Sequence, residues 1–124
     1  MHWYAPCAYA PEQKCGFHTA ARARLRCLAT ALGLPRGPFD LRSNPGGIAV
    51  SGEITLHHER VYVQVSQPAT GADTGILIRT CQGRRDYTGG RNHFAPLSLL
   101  DDVAALAARV RAVMATSGVG TQAA

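Results

Sequence analysis

Apolar and polar positions switch between two periods along this chain, and the switches mark its elements. From Thr19 to Leu32, the residues Ala21, Leu25, Leu28 and Leu32 recur at helical spacing and form one apolar stripe. Thr19 is suited to cap this helix, and Gly33 with Pro35 to end it. The stretch Pro35–Gly47 is crowded with glycine and proline and reads as a loop, pinned to the core by Phe39 and Leu41. Strand periodicity follows. Ile48 and Val50, then Ile54 and Leu56, alternate with small or polar residues, and Val61, Val63 and Val65 alternate with Tyr62, Gln64 and Ser66. His57–Arg60 reads as the first turn and Pro68–Thr74 as a longer second connection. Gly75–Thr80 then forms a third strand around Ile76, Leu77 and Ile78. Helical spacing returns in Leu99, Val103, Leu106, Ala107, Val110, Val113 and Met114, with Ser98 and Asp101 resembling a capping box.

The order α-β-β-β-α predicts a two-layer α+β domain, an antiparallel three-stranded meander with both helices packed on its apolar face. Tyr62, Gln64 and Arg79 fall on the opposite, open face. Residues 1–16 form an irregular lead containing Trp3, Tyr4, Pro6, Tyr9 and Pro11, whose prolines argue against helix. Residues 17–115 make the single domain, and 116–124 a tail expected to fray.

Composition changes this picture in one respect. An apolar share of 46% in 124 residues is enough for one core. The charge, however, is lopsided: thirteen Lys plus Arg against eight acids, net +5, with Lys14 the sole lysine. Arginine offers a planar fork of donors suited to phosphate and carboxylate, although a basic composition alone speaks only loosely to partners. No apolar run reaches membrane-spanning length, and Met1–Pro6 lacks the blocks of a signal peptide. The expectation is a cytoplasmic protein with reduced cysteines and no membrane partner.

The chemistry concentrates in the polar stretch Cys81–Pro96. Arg84, Arg85 and Arg91 are interleaved with Tyr87 and His93, and Gly83, Gly89 and Gly90 give the backbone room to approach a ligand. Fork donors, exposed amides and a ring for stacking are what phosphate and nucleic-acid recognition need. Arg79, on the same open face as Tyr62 and Gln64, supports the same surface, and Arg22 and Arg26 of the first helix are available to extend it. The glycines are not a P-loop, because no Lys-Ser/Thr follows them. No cofactor is expected.

Other chemistries are thinner. Cys7, Cys15, His18 and Cys27 include one ligand-like interval, Cys15-x-x-His18, but His18 and Cys27 on one helix would point in opposite directions. Cys81, His93 and Asp86 hold the ingredients of a thiol nucleophile, yet Cys81 at a strand end reads equally as a small buried hydrophobe. The balance leans away from an enzyme. A protein-binding alternative uses the open face and the aromatic lead, with a protein partner or a second copy on a sheet edge.

Val61-Tyr-Val-Gln-Val-Ser-Gln67 and Asp86-Tyr-Thr-Gly-Gly-Arg-Asn-His-Phe-Ala-Pro96 resemble segments of small proteins of proteobacterial mobile elements. The resemblance covers about half of the chain. It implies no activity, but an accessory role: a small regulator, or an inhibitor of a host nucleoprotein such as a defence complex. The leading expectation is thus a non-catalytic module that recognises nucleic acid or a nucleoprotein through the Arg/Gly-rich loop.

Overall fold

Among the described residues, five strands make the sheet, not the three that the periodicity predicts. The computed structural model describes Trp3 and residues 11–34, 39–46, 51–67, 74–86 and 90–116. Helix α1 (Pro11–Ala31) leads into β1 (Phe39–Asn44), β2 (Glu53–His58), β3 (Val61–Val65), β4 (Ile76–Thr80) and β5 (His93–Ala95). A 3-10 turn (Leu97–Asp101) and helix α2 (Val103–Thr116) follow. Each strand pairs antiparallel with its neighbours in the order β1-β2-β3-β4-β5, and helices stand at both ends of the chain.

The two additional strands lie where sequence pattern is weakest. β1 falls inside the stretch read as a loop. Its Asp, Ser and Asn have low strand propensity, but Phe39 and Leu41 alternate as a strand requires and pack against the core. β5 has only three residues, too few to show a period, and is held by Leu77 opposite Phe94 and Ile76 opposite Ala95. The predicted turn at His57–Arg60 is tighter: β2 runs through His58 and β3 begins at Val61. Ile48 and Val50 lie outside the described residues.

Both helices cover the face built from Ile54, Leu56, Val61, Val63, Val65, Ile76, Ile78 and Ala95. α1 buries Phe17, Ala21, Leu25 and Leu28 against it, and α2 buries Leu106, Ala107, Val110 and Val113. α1 starts eight residues earlier than its stripe suggests, at Pro11 rather than Thr19. Proline is tolerated in a first helical turn, where its missing N–H has no partner to lose. The helix ends in a Schellman closure. Leu34 N–H bonds Ala29 O at 2.9 Å and Gly33 N–H bonds Thr30 O at 3.0 Å, with Gly33 at φ 73°. Arg111 of α2 donates to Ala31 O at 2.5 Å, tying the second helix to the end of the first.

Asp102, rather than Ser98, caps α2: its Oδ1 accepts from Ala105 N–H at 3.1 Å. Ser98 and Asp101 lie in the preceding 3-10 turn, and Asp101 pairs with Arg24 at 3.6 Å. No helix among the described residues is long and apolar enough to cross a membrane.

Candidate nucleic-acid interface

The helix-free face of the sheet is built by the alternate residues of the same strands. Register places Asp40, His57, Tyr62 and Arg79 in one row across β1 to β4. Arg42, Thr55, Gln64, Leu77 and Phe94 form the next row across all five strands. Strand alternation sends these side chains away from the helices.

At the centre of the face lies a buried polar core. Arg79 sits over the Tyr62 ring, 4.3 Å from its centroid, and His57 meets the same ring edge-on at 4.9 Å. The Tyr62 hydroxyl donates to Gln64 Oε1 at 2.9 Å. Arg42 Nη2 lies 2.8 Å from His57 Nδ1. A guanidinium has only donors, so Nδ1 must carry the lone pair and the neutral ring holds its proton on Nε2.

The polar loop folds back onto this core. Its first turn is closed by Asp86 N–H to Gly83 O at 3.1 Å and by Gln82 N–H to Asp86 Oδ2 at 2.9 Å. Arg84 is thereby carried to Asp40, 3.6 Å away, where Arg42 also pairs at 3.3 Å. Arg42 and Arg79 flank the His57–Tyr62 pair, and Arg84 joins Arg42 at Asp40 in the same row. Arg60, Arg85 and Arg91 are exposed at the same end of the sheet. Together these arginines outnumber the acids Asp40, Glu59 and Asp86 found there.

The sequence-predicted residues divide as follows. Arg79 and Arg84 belong to the cluster, and Gly90 packs at the end of β4 against Thr80. Tyr62 is there too, but only 7% exposed beneath Arg79, so its ring is a support rather than a free stacking surface. His93 is half-buried and, opposite Ile78, faces the helix side. Tyr87 and Gly89 lie outside the described residues. Arg22 donates to Ser43 Oγ at 3.3 Å on the helical side, and Arg26 is exposed on α1. Neither joins the loop arginines. Sequence reasoning missed Arg42, His57 and Phe94. The alternation of Asp40 and Arg42 about Leu41 was the local signal for Arg42.

Cys81, the nucleophile of the thiol reading, follows the end of β4. It is buried, its Sγ–H donates to His58 O at 3.1 Å, and burial pushes its pKa above the usual thiol range. A thiolate is thereby disfavoured. His18 is committed elsewhere, its buried Nε2–H donating to Ser51 O at 2.6 Å. Cys15 and Cys27 are exposed and about 18 Å apart along α1, from 1.5 Å per residue. Among the described residues, no three His, Cys, Asp or Glu side chains gather as a metal site.

No family model, curated protein or solved structure matches the chain.

The buried histidine makes the face sensitive to pH. Burial, then the charges of Arg42 and Arg79, lower the His57 pKa from its ordinary value, partly opposed by the nearby backbone of Gly83 and Asp86. His58 is lowered as well, chiefly by burial. A depressed histidine contributes stability that is complete above the unfolded value of about 6.5. That stability is lost as pH falls toward the folded value, because the unfolded chain takes up the proton first. The urea midpoint should therefore fall between about pH 7.5 and 5.5. His57→Gln, which keeps an acceptor for Arg42, should fall less steeply. Equal slopes for the two proteins would exclude His57 as the source.

Proposed function

We propose that this protein binds nucleic acid, free or within a nucleoprotein, through the loop end of its helix-free sheet face. The observation that carries the reading is the return of the 82–86 turn onto the sheet, which brings Arg84 to Asp40, the carboxylate that Arg42 also pairs with, in the same row of the sheet as Tyr62 and Arg79. Phosphate recognition needs several fork donors held at fixed spacing, and charge-assisted bonds from such a cluster are the strong ones. Tyr62 and His57 hold Arg79 and Arg42 in place from below, which limits the side-chain entropy lost on binding.

Phe94 supports single strands as the preferred form. It is 46% exposed, the one large hydrophobic side chain so exposed among the described residues, and it lies on the same face. An exposed ring beside a basic surface offers a stacking platform for an unpaired base. A duplex keeps its base faces hidden and would engage the arginines alone.

Fluorescence anisotropy of short single- and double-stranded oligonucleotides at about 50 and 200 mM salt tests this. Three to five phosphate contacts on a single strand should weaken binding roughly 20- to 100-fold between the two conditions. Arg79→Ala/Arg84→Ala should lower affinity and flatten the salt dependence, by about 0.7 in the log–log slope per lost contact. Phe94→Ala should weaken single-strand binding at an unchanged slope, since stacking releases no counterions. Salt-independent binding, or an arginine variant that binds as wild type, would rule the reading out.

A further inference from the structure

The two edges of the sheet are unequal. β5 has three residues, and a short edge offers little to pair with. β1 has six, in unbroken register with β2 from Phe39 opposite His58 to Asn44 opposite Glu53. It contains no proline, lysine or bulge, and its two charges, Asp40 and Arg42, are of opposite sign and pair with each other, so they blunt the edge less than a run of like charge would. Among the described residues, no strand pairs with its outer side. Phe39 and Leu41 are only partly buried against the core.

The charges of β1 select what can add there. Asp40 and Arg42 lie on the same face, two residues apart, with Leu41 between them on the other. In a two-fold antiparallel pairing of this strand with itself, residues directly opposite must share a face. Centring the axis on Asp40 would set Asp40 against Asp40, and centring it on Arg42 would set Arg42 against Arg42. Both place like charges in contact. Centring it on Leu41 sets Asp40 against Arg42 twice over, Leu41 against Leu41 and Phe39 against Ser43. The Asp40 and Arg42 side chains keep 42% and 38% of their surface exposed while pairing with each other, so both remain within reach of a second strand.

We propose that β1 is a homodimer edge, pairing antiparallel with β1 of a second copy about a two-fold axis at Leu41. The interface is isologous, each Asp40 meeting the partner copy's Arg42. The product is one continuous sheet with five strands from each copy and all four helices on one side. Its helix-free faces join without a break, and the loop ends lie at opposite ends of the joined sheet. This inference stands on the edge strand and its charges alone, independently of nucleic-acid binding.

Sedimentation velocity at about 10 to 100 µM tests it. The wild-type chain should sediment as a dimer at the upper end of this range. Asp40→Arg and Arg42→Asp should each be monomeric, because each sets like charges against one another. Mixed in equal amounts, the two variants should recover a dimer. The arginine introduced in one copy then faces the aspartate introduced in the other, and the remaining native Arg42 faces the remaining native Asp40. A monomeric wild type, or single variants that remain dimeric through another surface, would overturn the proposal. So would a mixture of folded variants that fails to pair. Hydrogen exchange of the unaltered chain provides a check that needs no substitution: alternate amides within 39–44 should gain protection with concentration. Exchange there that is the same at low and high concentration would also overturn it.

Discussion

Trp3→Ala is expected to lower the thermal midpoint by about 10–20 °C, reflecting a loss of about 3–5 kcal/mol. Although it stands third in the chain, Trp3 is only 3% exposed and belongs to the main core. Its ring meets Phe17 edge-on at a centroid distance of 6.0 Å, and its carbonyl accepts from Gln67 Nε2 at 2.9 Å. Gln67 N–H in turn donates to the buried Ser51 Oγ at 2.8 Å. Deleting the indole would leave a large cavity beside Phe17 and loosen the contact between the chain start and the end of β3. Far-UV circular dichroism during heating reads the effect, and Trp3→Phe should recover much of it by refilling most of the volume. A small shift for Trp3→Ala would mean that the indole contributes little to the core. From sequence that residue belongs to an aromatic lead, read either as packed on the domain or as part of a partner interface; its burial fits the packed reading and makes it a stability determinant. Tyr62 changes meaning in the same way, from an open-face aromatic to the ring that supports Arg79.

Legibility follows the strength of the periodic signal. The stripes of α1 and α2 and the alternation Val61–Val65 stand out because many apolar positions repeat in one short window, and the same residues form the core. β1 and β5 do not, for two different reasons. β1 is an edge strand whose polar half includes Asp40 and Arg42, so its composition resembles a loop even though its alternation is intact. β5 is specified by its partner β4 rather than by its own residues, and three positions carry no usable period. The arginine-rich stretch is visible as chemistry, but its destination is not. Register alone reveals that Arg42, from a segment read as a loop, and His57, from a segment read as a turn, share a row or a neighbouring row with Tyr62 and Arg79. Such a site is assembled by pairing across strands, and no local sequence window contains it.

The loop glycines make the last expectation. From sequence, Gly83, Gly89 and Gly90 look equivalent as sources of backbone freedom. The structure separates two of them. Gly90 has φ 79°, in the left-handed region that side chains disfavour. A Cβ there would press on the Thr80 carbonyl oxygen, and would lie 2.9 Å from Thr80 Oγ1 and 3.0 Å from Thr80 N. These neighbours belong to the end of β4, mostly to its backbone, and have little room to yield. Gly83 meets nothing within 4 Å and has no positive φ. Gly90→Ala should therefore cost about 2–3 kcal/mol, from backbone strain and overpacking together. Gly83→Ala should stay within about 0.5 kcal/mol of wild type. The same contrast should appear in binding. Gly90 packs against Thr80, next to Arg79, and Arg91 follows it directly, so under the proposed function lifting that contact would displace phosphate-binding arginines, at about 1.5–3 kcal/mol for each charge-assisted bond lost. Nucleic-acid affinity should fall roughly tenfold or more for Gly90→Ala and hold for Gly83→Ala. Urea denaturation and anisotropy on the same two variants read both effects. If Gly90→Ala loses stability but binds as wild type, the contact of Gly90 with β4 serves the fold alone and the proposed binding surface is confined to Arg42, Arg79 and Arg84.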